Sequence, residues 1–313
     1  MKEVYIKDLK FGEKLSDAAF AIKNMKQGKT MNGKDYIDLI LTDKSGEVAG
    51  KIWENNIPNC ANVEVGNIIK LSGTVEEFRD KQQLNITYLQ KDENFNLEDF
   101  LPTTQKDIDK MWKNIKDSIA EINDTNIKKL LNVFYTKKEY TDRIKQASAA
   151  EYIHHAYIGG LLEHENEMLE LAKTIIKEYP KLDKDILIAG VLLHDIGKIE
   201  ELAINHTITR TLAGYLVGHI SLGSIMVDKE IAKIKEFPAD LRAKILHLVL
   251  SHHGQLEYGS PVKPATREAF ALAYIDNLSA KVNTAEKAFN DGQGSNSDFS
   301  THNFALENKL YLK

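Results

Sequence analysis

The order of apolar and polar residues divides the chain into an N-terminal part with strand-like runs and a longer C-terminal part with helical periodicity. In the first part, short runs rich in branched apolar residues, such as 36–41 and 68–75, are separated by Gly and Asn residues typical of turns. Five strands are predicted, near residues 17–24, 35–42, 47–54, 67–78 and 83–90. Their number and even spacing predict a small closed all-β barrel.

The C-terminal part follows a polar stretch, residues 91–104, and has the 3.6-residue period of helices with no room for a sheet. Seven helices are predicted, over residues 105–123, 125–147, 151–178, 184–195, 210–228, 239–253 and 265–287. The chain is therefore predicted to be a multidomain protein, a small barrel followed by an all-α domain. The predicted boundaries are 1–92 for the barrel, 93–148 for a linker and helical segment, 149–290 for the all-α domain and 291–313 for a C-terminal tail. Residues 290–301 are predicted to form a mobile loop or frayed tail.

Composition narrows the classes of function. The net charge of -5 and the pI near 6.1 argue against a protein that holds nucleic acid by bulk positive charge, so any such contact must be local. Cys60 is the only cysteine, which excludes an internal disulfide and predicts a reducing compartment, the cytoplasm. No apolar run is long enough to predict a signal peptide or a membrane span.

Five predicted helices carry ionisable residues inside or at the end of their apolar stripes. The residues that share this placement are His164, His194, Asp195, His219, His252 and Asp276, with His253 directly after His252. Burying so many imidazoles and carboxylates without partners would cost several kcal/mol each, so a shared metal centre is the simplest explanation. Imidazole together with carboxylate suits Mn, Fe, Zn or Ni.

These residues resemble the H…HD…D signature of the HD superfamily of metal-dependent phosphohydrolases, in the order His164, His194-Asp195 and Asp276. The most specific part is the segment His194–Lys198, which reads His-Asp-Ile-Gly-Lys. The resemblance implies an HD-type phosphohydrolase domain for the all-α region.

A two-ion interpretation assigns a role to each inward-facing group. Asp195 would bridge the ions, and His219, His252 and His253 are similar to the additional ligands of members that hold two metals. Lys198 either contacts the substrate phosphate or is a solvated residue just beyond a helix end. The proton for the leaving oxygen would come from His219, or from whichever of His252 and His253 is not a ligand. The predicted catalytic residues are therefore Asp195, Lys198 and His219.

The barrel region resembles the OB-folds of nucleic-acid binders. Its basic run consists of Lys23, Lys26, Lys29 and Lys34 and is predicted to lie on the loop between the first two strands, where OB-folds hold oligonucleotides. The predicted stacking residues are Tyr36, Trp53 and Phe78, with Phe20 and Tyr88 as further candidates. The alternative is that several aromatics fill the barrel and that the lysines are only solvated.

The full arrangement resembles the YhaM family of bacterial 3'-to-5' exoribonucleases. The segments similar to that family are His154–His164, His194–Lys198, Ser251–Gly254 and Tyr274–Leu278. The resemblance implies removal of nucleotides from the 3' end of single-stranded RNA with one or two divalent ions per chain, most suitably Mn²⁺. Single-stranded DNA as a second substrate and a homo-oligomer are compatible with it. His154 and His155 are expected to be structural or substrate-facing.

Two other functions are compatible with these features. Many HD proteins hydrolyse nucleotides or cyclic nucleotides, but residues 254–261 lack the Gly-Tyr-Pro tripeptide expected of the cyclic-dinucleotide branch. A non-enzyme would be a single-strand-binding module whose HD domain serves as a scaffold. The complete set of predicted ligands argues against that function.

Overall fold

The structure is a computed structural model that describes residues 2–78, 81–151, 155–205, 208–293 and 297–313. The main boundary between its two compact units lies between Thr103 and Thr104. Among the described helices, none combines the length and the apolar character that crossing a membrane requires.

The N-terminal unit is a closed barrel of five strands. The strands are β1 (Lys14–Lys29), β2 (Asp35–Asp43), β3 (Gly46–Trp53), β4 (Ile68–Phe78) and β5 (Lys81–Lys91). Their order around the barrel is β1-β2-β3-β5-β4, and β1 closes it by pairing with β4. The β3–β5 pair is parallel and the other four pairs are antiparallel. This is the five-stranded arrangement of an OB-fold, so the predicted barrel is confirmed.

The length and bending of β1 allow one strand to pair with two neighbours. Its register shifts between Leu15 and Ala18 and again between Ile22 and Asn24, as expected for bulges that bend a strand around a barrel. Alternate side chains point inward and form the barrel core, which includes Phe20 at 0% exposure. Phe20 therefore fills the barrel, and its prediction as a stacking surface is wrong.

The C-terminal unit is helical. Its described helices are α1 (Ile108–Ala120), α2 (Thr125–Thr136), α3 (Lys138–Gln146), α4 (Gly160–Glu178), α5 (Lys184–Leu193), α6 (Lys198–Glu201), α7 (Leu212–Leu216), α8 (His219–Ile231), α9 (Ala239–Ser251) and α10 (Arg267–Gly292). The central helix α5 is apolar on all sides, and it packs against α4, α9 and α10. The carboxylate of Asp183 accepts hydrogen bonds from two backbone N–H groups at its start. The apolar stripes of the surrounding helices thus converge on α5.

Several predicted helices are shorter in the structure. The helix predicted over 151–178 begins only at Gly160, because His155 and Gly159 have positive φ values of 47° and 78°. The helix predicted over 125–147 is divided into α2 and α3 at Lys137, which has an extended conformation.

The region predicted as one helix over 210–228 is divided into two helices, and its first residue, Arg210, ends a short strand. Gly218, with φ 75°, ends α7 and allows α8 to begin at His219. The strands β6 (Leu202–Ile204) and β7 (Ile208–Arg210) form a two-stranded sheet, so the expectation of no sheet in this part is wrong. The spacing of apolar residues would be the same for one long helix as for two shorter ones, and in the sequence only Gly218 marks the break.

The tail folds back rather than fraying over its described part. Helix α10 continues to Gly292, and Phe299 then forms an antiparallel bridge with Tyr311. The backbone N–H of Leu312 donates to the carbonyl of Asp298 at 2.9 Å.

Candidate metal centre

Five helices of the C-terminal unit bring the predicted ligands together. His164 lies on α4, His194 and Asp195 directly follow α5, His219 begins α8, His252 and His253 directly follow α9, and Asp276 lies on α10. Gly197, the residue before α6, permits the close approach of α6 and α8, because a Cβ atom there would lie 2.0 Å from the backbone oxygen of His219. The glycine of the His-Asp-Ile-Gly-Lys segment therefore positions Asp195 next to the start of α8.

The first group of candidate ligands consists of His164, His194 and Asp276, whose ligating atoms lie within 4.8 Å of one another. Nε2 of His164 lies 3.3 Å from Nε2 of His194 and 3.2 Å from Oδ1 of Asp276. Oδ2 of Asp195 faces the same group, 3.3 Å from Nε2 of His194. Both imidazoles are fully buried. Lone pairs and carboxylates in such close contact are favourable only when a cation lies among them.

The second group consists of His219, His252 and His253, and it faces the other oxygen of Asp195. Oδ1 of Asp195 lies 3.4 Å from Nε2 of His219 and 3.6 Å from Nε2 of His252. These three atoms are buried and have no hydrogen-bond partner among the described residues. Buried polar atoms are rarely left unpaired, so this group also fits a cation. The two oxygens of Asp195 thus face one group each.

The Nδ1 atoms of four of these histidines are held by acceptors. Three Nδ1 atoms face backbone carbonyl oxygens: that of His194 lies 2.8 Å from Val191, that of His252 lies 2.7 Å from Val249, and that of His253 lies 2.7 Å from Tyr258. Nδ1 of His219 lies 3.1 Å from Oε2 of Glu201. Carbonyl and carboxylate oxygens only accept, so Nδ1 must carry the hydrogen and Nε2 faces the centre. This is the orientation that metal-binding histidines show. Glu201 was not found from the sequence, where no motif marks it.

Burial keeps three of the imidazoles neutral. It lowers the pKa of His164, although the nearby carboxylate of Asp276 acts in the opposite direction. Burial also lowers the pKa of His252 well below its ordinary value, and it lowers the pKa of His253, with further contributions from neighbouring histidines. Neutral imidazoles are the form that binds a metal ion.

The charges of the carboxylates dominate the rest of the centre. Burial would lower the pKa of His194, but Asp195 and Asp276 raise it to about 9. Burial would raise the pKa of Asp195, yet Lys198 and His194 hold it well below its usual range, and His164 does the same for Asp276. A bound cation can balance the negative charges of Asp195 and Asp276 in place of the proton on His194. Ion binding is therefore expected to release that proton.

Lys198 is buried beside Asp195, so its interpretation as a solvated residue is wrong. Its side chain is only 8% exposed, and Nζ lies 2.7 Å from Oδ2 of Asp195. The first turn of α6 places the ammonium one turn beyond the carboxylate. A direct contact with phosphate stays a prediction.

A third group of possible ligands, His155, Glu163 and Glu167, already binds a lysine. Nζ of Lys106 lies 3.1 Å from Oε1 of Glu163 and 2.7 Å from Oε1 of Glu167. An ammonium group between two carboxylates takes the place that a cation would need. His154, which was expected to be structural or substrate-facing, lies outside the described residues.

Comparison with known proteins agrees with this geometry. A family model described as "HD domain" matches residues 161–281. The 3'-5' exoribonucleases YhaM of Bacillus velezensis and Bacillus subtilis are each 36% identical to this chain over 302 residues, which is 95% of this chain and 94% of each relative. The YhaM of a Geobacillus species is 37% identical over 95% of this chain and 91% of its own. The chain belongs to the YhaM family. Among solved structures, it is similar to the second OB-fold domain of replication protein A from Methanococcus maripaludis, with 17% identity over 30% of this chain and 97% of that domain and a TM-score of 0.24.

In this YhaM-family chain, most of the predicted basic residues lie on a strand. Lys23, Lys26 and Lys29 belong to β1, and of the four lysines only Lys34 lies in the turn before β2, so the predicted loop location is wrong. The physical reason is that β1 and β2 continue pairing as a long hairpin as far as Lys29 and Asp35. Lys23 forms an ion pair with Glu47, and Nζ of Lys29 lies 3.0 Å from Oδ1 of Asp35.

Strands β2 and β3 form an aromatic and basic surface on the barrel. Tyr36 and Trp53 are register partners whose ring centroids lie 6.2 Å apart. Nζ of Lys51 lies 4.1 Å from the Tyr36 ring and 4.9 Å from the Trp53 ring, and it also pairs with Asp38 at 2.9 Å. Trp53 is 41% exposed, and Phe78, at the end of β4, is 53% exposed. The position of Lys51 beside the two rings was not predicted, because in the sequence it is one lysine within an ordinary strand.

Proposed function

We propose that this chain is a divalent-metal-dependent exoribonuclease that removes nucleotides from the 3' end of single-stranded RNA. The observation that carries the proposal is that two groups of ligand atoms, one buried and one partly buried, face the two oxygens of one carboxylate, Asp195. The direction and the RNA substrate come from the names of the relatives, which are 3'-5' exoribonucleases. Imidazole and carboxylate ligands support Mn²⁺ as the ion.

The proposed ion-binding residues form two sets that share Asp195. His164, His194 and Asp276 form one set, and His219, His252 and His253 form the other. Bound ions of this type supply an activated water and neutralise charge on phosphoryl oxygens.

Two residues of the centre have further proposed roles. Lys198 keeps Asp195 ionised and adds positive charge for the substrate phosphate. We assign His219 to ion binding rather than to proton donation, because its buried Nε2 faces the same oxygen of Asp195 as His252 does.

The barrel is proposed to hold the single strand. Its proposed contacts are Lys23, Lys26, Lys29, Lys34, Tyr36, Trp53 and Phe78. The cation–aromatic cluster around Trp53 supports stacking with bases, which is largely independent of base identity. Single-stranded DNA as a second substrate, a homo-oligomeric assembly and a cytoplasmic location belong to the same proposal. The single cysteine supports the reducing compartment.

The activity is tested with 5'-labelled single-stranded RNA in Mn²⁺ and in a chelator. We expect a descending ladder in Mn²⁺ and at least about a 1,000-fold lower rate in chelator, because the ions stabilise the transition state by several kcal/mol. The same RNA labelled at its 3' end should release labelled mononucleotide from the first turnover. Hydrolysis of nucleotides with intact RNA would instead support a nucleotide phosphohydrolase, and binding without turnover would support the scaffold function.

Trp53→Ala is expected to weaken the binding of single-stranded RNA. Loss of one stacked base costs about 1–3 kcal/mol, which corresponds to roughly a 5- to 150-fold higher Kd. Fluorescence anisotropy in chelator measures binding without cleavage. The matched control is Phe11→Ala, which removes another exposed aromatic of the same unit and should leave the Kd unchanged. Equal Kd values for wild type and Trp53→Ala would place the RNA elsewhere.

A further inference from the structure

Ser279 on α10 connects His164 of the metal centre to a carboxylate that the proposed reaction does not use. Its Oγ lies 3.0 Å from Nδ1 of His164 and 3.1 Å from Oε2 of Glu167. Ser279 and His164 are both buried. Glu167 follows His164 by almost one turn of α4, so the two side chains lie on the same face of that helix.

The carboxylate of Glu167 determines the direction of both hydrogen bonds. An ionised carboxylate has no hydrogen to donate, so the single hydroxyl hydrogen of Ser279 must point to Glu167. Oγ of Ser279 then offers only lone pairs to His164, and Nδ1 of His164 must carry a hydrogen. In a neutral imidazole this leaves Nε2 with its lone pair for an ion, although the Asp276 carboxylate, 3.2 Å from Nε2, favours the opposite tautomer in the ion-free protein.

The surroundings of Glu167 keep it ionised. Nζ of Lys106 lies 2.7 Å from Oε1, and Nε2 of His155 lies 3.0 Å from Oε2. Burial raises the pKa of Glu167, but the hydrogen bonds from His155 and Lys106 outweigh it and lower the pKa to about 2. The carboxylate therefore stays an acceptor for Ser279 at neutral pH.

We infer that Glu167 and Ser279 are positioning residues that hold His164 in the Nδ1–H tautomer and so prepare its Nε2 to bind an ion. Among the five histidines of the centre, His164 is the one held through a hydroxyl; the others use a backbone carbonyl or Glu201. A hydroxyl can donate or accept, so this ligand needs a second residue to set the direction. The inference rests on the proposed function only for the ion itself, since the tautomer belongs to the ion-free protein.

The tautomer is measured directly in the ion-free protein. A long-range ¹⁵N–¹H correlation spectrum of ¹⁵N-histidine-labelled wild type, recorded in chelator at neutral pH, should show His164 with its hydrogen on Nδ1. In Ser279→Ala the Nδ1 partner is lost, and a mixture of the two tautomers is expected. A hydrogen on Nε2 of His164 in wild type would overturn the inference. This result needs neither activity nor metal.

Ion affinity supplies the second measurement. In Mn²⁺ titrations by calorimetry, Ser279→Ala and Glu167→Gln should weaken one binding event by about 10- to 100-fold, as other residues that orient metal ligands do, while the second event is unchanged. The matched control is Glu170→Gln, on the same helix, whose carboxylate contacts Lys173 and Asn114 instead of Ser279. The control should titrate as wild type does.

The two measurements separate the two proposals. Wild-type affinity in Ser279→Ala and in Glu167→Gln would overturn the positioning role while the proposed function stands. If wild type binds no Mn²⁺ but its His164 loses the Nδ1–H tautomer in Ser279→Ala, the proposed function is contradicted, while the assignment of the tautomer to Ser279 stands.

Discussion

Asp195→Asn is expected to lower the rate of RNA hydrolysis by at least about 1,000-fold, because the loss of one shared anionic ligand removes roughly 4 kcal/mol of transition-state stabilisation. Its two oxygens face different ligand groups, at 3.3 Å from Nε2 of His194 and 3.4 Å from Nε2 of His219. One substitution therefore weakens ion binding by both ligand groups. The amide has the same shape and can still accept from Lys198, so the fold is expected to persist. RNA binding in chelator should stay within about twofold of wild type, since the contacts proposed for the barrel are unchanged.

Steady-state cleavage, RNA anisotropy and thermal unfolding of the same preparation test this prediction. The control is Asp240→Asn, which neutralises an exposed carboxylate at the start of α9 and should change none of the three. Full activity of Asp195→Asn would show that hydrolysis occurs elsewhere. Loss of folding together with loss of RNA binding would show that Asp195 is mainly structural.

Glu165→Gln is expected to stabilise the ion-free protein, and the gain should grow as the pH rises. Glu165 is fully buried, and neither carboxylate oxygen has a hydrogen-bond partner among the described residues. Burial raises its pKa from 4.5 to about 8, with a smaller contribution from Asp195, whereas Tyr135 and His194 act in the opposite direction. A glutamine side chain resembles the protonated acid and never ionises.

The sign follows from the protons bound in each state. Between pH 4.5 and 8 the folded protein keeps a proton on Glu165 that the unfolded chain has released, so the free energy of unfolding falls as the pH rises through this window. The slope is about 1.4 kcal/mol per pH unit. The advantage of Glu165→Gln over wild type should therefore increase by roughly 2–3 kcal/mol between pH 5.5 and pH 7.5.

Urea unfolding in chelator at both pH values measures the difference. The difference between the unfolding free energies of the two proteins is free of contributions from the titrating groups that they share. Glu178→Gln, an exposed carboxylate near the end of the same helix, is the control and should show no such pH-dependent difference. Parallel pH dependences for wild type and Glu165→Gln would mean that the buried carboxyl is already ionised in the folded protein.

Local patterns predicted the elements well where a change of period or a turn residue marked their ends. All five strands of the barrel were found, because side chains alternate at every step and Gly or Asn separates the runs. The break at Gly218 was missed, because α7 and α8 continue the same apolar period on either side of it. The strand location of Lys26 and Lys29 was missed because a polar hairpin arm has no buried face to reveal it.

Helical periodicity alone placed His164, His194, Asp195 and Asp276 on inward faces, and the HD pattern grouped them. The hydrogen-bond acceptors that hold the Nδ1 atoms of the histidines could not be predicted from the sequence. Ser279 is 115 residues away from His164 in sequence, and Glu201 has no fixed spacing to His219 in any motif. Three of the acceptors are backbone carbonyls, those of Val191, Val249 and Tyr258, which the amino-acid identity does not encode.

The sequence by itself determined the two architectures, the family and the inward position of the candidate ligands other than His253, because these depend on residue type and on period within single elements. Only the tertiary structure decided which oxygen of Asp195 faces which histidines, that Lys198 is buried against it, and that Glu167 directs Ser279 towards His164. Those features depend on how separate helices approach one another, and close backbone contacts such as the one at Gly197 set that approach. Distances between helices far apart in sequence follow from packing, which no local pattern contains.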